Sequence, residues 1–194
     1  MRRVIKEKRK LLKLLKNRKI AIIITVIVVI FATLFGVSRS LNNLARNVEA
    51  IFYDGVFIND VPQRSISHHL DVIEQAVLNT VPAFNNYPAL SDEVEALTVA
   101  RRELLGAGSI PEKFTAYMNI QSASTRLISK AESVELSQRD QDILDQYQTT
   151  LTRATIAIQS SEYNVRARGF MDGSSFIAYT LRPFVFVTAP QAFD

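Results

Sequence analysis

Cysteine and tryptophan are absent from these 194 residues. Without thiols there is no disulfide framework, no thiolate nucleophile and no thiolate metal site. Histidine is limited to the adjacent pair His68 and His69. Neighbouring side chains on a helix diverge by about 100°, so this pair cannot share one metal or act as an acid–base couple. A solvated place at a helix start explains both, and no HExxH accompanies them. Glycine is scarce too, and Gly106-Ala107-Gly108 has no Gly-Lys-Ser/Thr after it, which excludes a phosphate loop. Asp140, Asp142 and Asp145 lack the glycine turn and distal bidentate acid of a calcium loop. The dipole of the helix they open accounts for the early ones; Arg166 and Arg168 flank one turn and could grip an anionic group, but helix-end charge complementarity is the commoner explanation. No constellation therefore marks a catalytic, cofactor-binding or metal-ligating residue, and the expectation is a protein that is not an enzyme and carries no cofactor.

Charge is present but unevenly spread. Ten of the 23 basic residues and one of the 19 acidic residues, Glu7, lie in residues 1–19; the rest of the chain is left with 13 basic and 18 acidic groups, a net of −5. A basic tail of this kind suits anionic lipid head groups, at about 1 kcal/mol per residue near the surface. The acidic remainder argues against a nucleic-acid partner.

The long uncharged run IAIIITVIVVIFATLFGV, residues 20–37, follows that tail directly. As a helix it is about 27 Å long, near the hydrocarbon thickness of a bilayer. Its Ile and Val would favour a strand in water, but lipid requires every backbone group to be paired within the segment. The excess of Lys/Arg before the run predicts residues 1–19 in the cytoplasm and 38–194 exported. Ser38 and Ser40 have the small-residue spacing of a signal-peptidase site, so cleavage competes with retention. The length of the run and of its basic flank favours a retained signal anchor.

Beyond the run, apolar residues recur three or four apart, as helices require. Leu41, Leu44, Val48, Ile51 and Phe52 predict a helix ending at Asp54-Gly55, followed by a polar loop with Asn59, Asp60 and Pro62. Ile66, Leu70, Ile73, Val77 and Val81 predict a second helix stopped by Pro82. Ser91 with Asp92 and Glu93 reads as a capped start for Val94, Leu97, Leu104 and Leu105, and Gly106 and Gly108 close that helix. Ser109-Ile110-Pro111-Glu112 is a capping box opening a helix with Phe114, Met118, Leu127 and Ala131. Ser137 with Asp140 opens the last helix, through Ile143, Leu144, Tyr147, Leu151, Ile158 and Tyr163, about 45 Å long if it reaches Gly169. Strand character is confined to Asp172-Gly173 and residues 184–187. The fold class expected is all-α: a single N-terminal transmembrane helix followed by an antiparallel long-helix bundle.

Three stretches resemble the LemA family of bacterial membrane proteins. The first is Leu41-Asn42-Asn43-Leu44-Ala45-Arg46-Asn47-Val48-Glu49-Ala50 leading into Phe52-Tyr53-Asp54-Gly55-Val56. The second is Ala100-Arg101-Arg102-Glu103-Leu104-Leu105, followed by a helix with Ala123 and Leu127. The third is Ser161-Glu162-Tyr163-Asn164, then Ala167-Arg168-x-Phe170, Phe176 and Pro190-x-x-Phe193. The family's second Tyr-Asn is missing, and Phe176-Ile177 stands where it often has Phe-Pro, so the resemblance is to a divergent member. It implies a long-helix bundle on one membrane span, with no catalytic chemistry, cofactor or ligand to carry over.

These features give the expected function: a single-pass membrane protein displaying a helical interaction domain at the cell envelope, with the lipid bilayer and an envelope protein as partners. The alternative is a sensor or ligand-binding ectodomain working with a membrane partner. The dense aromatics of residues 174–194 predict that this tail folds back on the bundle, burying Phe184 or Phe186.

Overall fold

The computed structural model describes residues 18–181 and 190–193, with side chains described as far as Asp172 and again from Pro190. The elements run α1 (Arg18–Asp54), β1 (Val56–Ile58), β2 (Val61–Gln63), α2 (Ile66–Phe84), a 3-10 turn (Pro88–Leu90), α3 (Ser91–Gly106), α4 (Ile110–Ala131), α5 (Gln138–Gln159) and α6 (Glu162–Leu181). The all-α class is as the periodicities predict. Two compact units divide the chain, Met1–Ala45 with Ser174–Thr188 and Arg46–Gly173 with Ala189–Asp194.

In the first unit, the apolar part of α1 is clothed in Ile, Val and Phe on every side. Phe31 and Phe35 are 69% and 71% exposed. Among the described residues this is the one helix long and apolar enough to cross a membrane, with a mean hydropathy of 3.1 and none of its apolar window buried. Thr25 and Thr33 turn their hydroxyls onto the carbonyls of Ala21 and Val29, which removes their polar groups from the helix surface.

The second unit is a helical bundle. Its core takes one stripe from each helix: Val48 and Phe52 of α1, Ile66, Leu70, Ile73 and Val77 of α2, Leu97 and Ala100 of α3, Ile120 and Leu127 of α4, Leu144, Leu151 and Ile158 of α5, and Tyr163 and Ala167 of α6. The main helix contacts are α3 with α4, α2 with α5, and α2 with α3. Burying such stripes gains about 25 cal/mol per Å² of apolar surface. The capping box is complete: Ser109 accepts from the Glu112 amide while the Glu112 carboxylate accepts from Ser109 N–H. The Gly108 amide, then the amide and hydroxyl of Ser109, hold the Glu112 carboxyl below its usual range. Ser137 caps α5 through the Asp140 amide.

Several details differ from the sequence reading. The polar loop after α1 is a β-hairpin, Val56 paired with Gln63 and Ile58 with Val61. Asn59 and Asp60 take the positive φ angles its tight turn needs. Gly55, at φ +76, must be glycine, because a Cβ there would sit 2.4 Å from the Gln63 carbonyl. Pro82 does not stop α2, which continues to Phe84 with Pro82 inside its last turn. Ser91 is not a cap: the 3-10 turn runs straight into α3, and Leu90 holds the cap position with no side-chain bond. Leu44, Leu105 and Met118, expected on apolar faces, are exposed. Asp172-Gly173 is helical, and residues 184–187, with Phe184 and Phe186, lie outside the described residues.

The long last helix is two helices. Ser160 and Ser161 interrupt it, the Ser160 hydroxyl bonding back to the Ile156 carbonyl. The Ile158 carbonyl at the break accepts the Ser161 amide at 3.2 Å and the Asn164 side chain at 2.9 Å. Across the chain, Gln63 of β2 accepts from the Glu162 amide and so caps the start of α6.

Candidate functional site

The residues weighed for chemistry from the sequence are scattered. His68 and His69 have ring centroids 5.6 Å apart in an edge-on arrangement, and Arg64 Nη1 lies 2.6 Å from His68 Nε2. Burial, then the neighbouring charges of His68 and Arg64, lower the His69 pKa below the usual imidazole value. Asp140 is held by the hydroxyls of Ser137 and Tyr87, both at 2.6 Å, which lower its pKa in that order. Asp142 accepts from Gln138. Arg166 pairs with Glu162 one turn away on α6. Arg168 is exposed on the same helix. Gly106 ends α3, and Gly108 donates its amide to Glu112. Among the described residues no three metal-ligating side chains converge.

A concavity lies in the second unit, along the seam of α2 and α5. It holds about 480 Å³ and is lined on α2 by His68, Asp71, Gln75 and Asn79, and on α5 by Gln146, Tyr147 and Thr150. On α2 the polar residues follow one another at three- and four-residue steps, with Val72, Ala76 and Thr80 in the row beside them, and on α5 Ile143, Gln146, Tyr147 and Thr150 span two turns. Below the groove the core stripes meet at Ile73, Val77, Leu144 and Leu151. Above them Asp71, Gln75, Asn79 and Gln146 are exposed. They give the walls side-chain amides and one carboxylate.

Its floor is Tyr147, nearly fully buried. The hydroxyl lies 2.5 Å from that of Ser124 on α4, which is completely buried and also donates to the Ile120 carbonyl. Burial pushes the phenol up to about 12, against a smaller opposing effect of the Ser124 bond. Thr150 is committed as well, its hydroxyl donating to the Gln146 carbonyl. Amides, a carboxylate and an imidazole around a largely buried floor offer hydrogen-bonding groups to a polar ligand.

Next to the groove, Glu74 is 7% exposed and forms an ion pair with Arg101 of α3, with Gln75 Nε2 on its second oxygen at 2.7 Å. This pair ties α2 to α3. Sequence periodicity could not reveal the groove, because it arises only when two helices are aligned. The signal available was the four-residue spacing of Asp71, Gln75 and Asn79 beside the apolar stripe.

No family model, no curated protein and no solved structure matches this chain.

Proposed function

We propose that this chain is a non-enzymatic, single-pass membrane protein that displays an antiparallel helical bundle as an interaction domain at the cell envelope. One observation carries the reading: the apolar surface of α1 over residues 20–37, none of which is buried. In water that surface would be a severe aggregation liability, whereas hydrocarbon solvates it. The ten basic residues before it support a cytoplasmic N-terminus and an exported bundle.

We further propose membership of the LemA family as a divergent representative. The residues of the resemblance are not independent of one another. Phe52 of the first stretch stacks on Tyr163 of the third at 5.3 Å, and on Phe193 at 5.4 Å. Asn164 bonds the Phe193 main chain. Motifs separated by more than a hundred positions thus serve one cluster, which supports reading them together.

A second reading, a ligand-binding or sensing ectodomain, is favoured by the α2–α5 groove, whose volume suits a small polar molecule.

The absence of cysteine gives a clean test of topology. Single substitutions Arg9→Cys and Gln148→Cys are labelled in intact cells with a membrane-impermeant maleimide. Gln148→Cys is expected to react at once and Arg9→Cys only after permeabilisation. The reverse pattern overturns the orientation, and release of the protein by alkaline carbonate overturns the membrane span.

A further inference from the structure

Residues 190–193 are the only described part of the chain after α6, and the way they are held is unusual for a strand of core. Pro190 and Phe193 are buried while Gln191 between them is exposed. That three-residue spacing is the repeat of a polyproline-type extended chain. The Phe193 ring is fully buried against Phe114, Phe52 and Tyr117, with centroids at 5.1, 5.4 and 5.5 Å. Asn164, also fully buried, reads the main chain of Phe193 twice: its Nδ2 donates to the carbonyl at 3.1 Å and its Oδ1 accepts the amide at 2.7 Å. The Tyr163 hydroxyl donates to the Gln191 carbonyl at 2.6 Å.

Among the described residues, the hydrogen bonds from bundle to segment thus all meet its main chain. Side-chain selection is left to apolar burial of one proline and one aromatic. Main-chain bonds for affinity and pockets for spaced side chains are the anatomy of a peptide-binding site. We propose that the Asn164–Tyr163 corner is a peptide-recognition site for an extended Pro-x-x-Phe segment, which residues 190–193 occupy as an exchangeable ligand. A partner protein presenting the same pattern docks by displacing them, so the chain carries its own competitor.

The test uses the full chain in detergent micelles, intact and truncated after Ala189, with the fluorescein-labelled peptide Ala-Pro-Gln-Ala-Phe-Asp. Saturable binding to the truncated protein is expected. Affinity should be weaker by about tenfold or more for the intact protein, and again for the peptide carrying Phe193→Ala. If truncation abolishes the cooperative melting transition, added peptide is expected to restore it, and failure to do so overturns the proposal. A truncated protein that melts normally but ignores the peptide also overturns it. So does equal binding to intact and truncated protein, or equal binding of the Phe193→Ala peptide, since either locates the peptide elsewhere.

Discussion

The α2–α5 seam and the corner around Phe193 draw on one bundle core, yet the first is open to solvent and the second is filled by the chain itself. At the seam, the residues flanking the apolar stripes are Asp71, Gln75, Asn79 and Gln146, long or polar groups that keep water between the helix shoulders. At the corner the flanking residues are Phe52, Phe114, Tyr117 and Tyr163, whose rings wall a hole that is apolar except for the Asn164 amide and the Tyr163 hydroxyl. A hole of that kind calls for an aromatic plug. The residue class beside the stripe, more than the stripe, decides whether a helix junction becomes a groove or a socket.

The largest effect that sharpens this contrast is Phe52→Ala. Phe52 is fully buried and touches both Tyr163 and Phe193, so its loss is expected to cost about 3–5 kcal/mol. Gln146→Ala in the groove wall is expected to change stability by less than about 0.5 kcal/mol. Urea denaturation of both variants checks the pair. Comparable losses would mean that the groove wall is as integral to the core as the socket.

Next in size is Arg101→Ala beside the seam. It strands the Glu74 carboxylate, 7% exposed, with Gln75 as its remaining partner. The expected loss is about 2–3 kcal/mol, below the 3–5 typical of a fully buried pair because the Arg101 side chain is 26% exposed. A change under about 0.5 kcal/mol would show that water, not Arg101, satisfies Glu74.

How far these regions were legible in the sequence follows from what one-dimensional spacing encodes. Core positions such as Ile73, Leu97, Leu127 and Leu151 stand out because a helix repeats every 3.6 residues. The capping box at Ser109 and the cap at Ser137 stand out because they are local bonds. The groove, the Glu74–Arg101 pair and the Asn164 clamp join residues 27 or more positions apart, and no local rule encodes them. The break at Ser160-Ser161 was hidden for a different reason: the apolar stripe of α5 runs on into α6, and the Asn164 side chain that bonds back across the break, six residues away, looks like any polar helix residue.

The smallest effect compares one tyrosine from each region. Tyr147 under the groove and Tyr163 in the socket both have phenols pushed up to about 12, and for both the leading cause is burial. They differ in what comes second. For Tyr163 the nearby charges of Glu49 and Tyr53 raise it further, whereas for Tyr147 the Ser124 bond acts in the opposite direction. An unfolded tyrosine ionises near 10, so each contributes stability that is whole below pH 10 and is lost as the pH climbs toward 12. In a spectrophotometric titration these two phenols are expected to ionise late, as the pH climbs toward 12. Glu49→Gln removes a charge that acts on Tyr163 and is not among the causes at Tyr147. It is expected to bring that one late step to lower pH while leaving the Tyr147 step in place, and added salt is expected to do the same more weakly. If both late steps move together under Glu49→Gln, the two phenols report one global alkaline unfolding, and the electrostatic distinction between socket and groove is wrong.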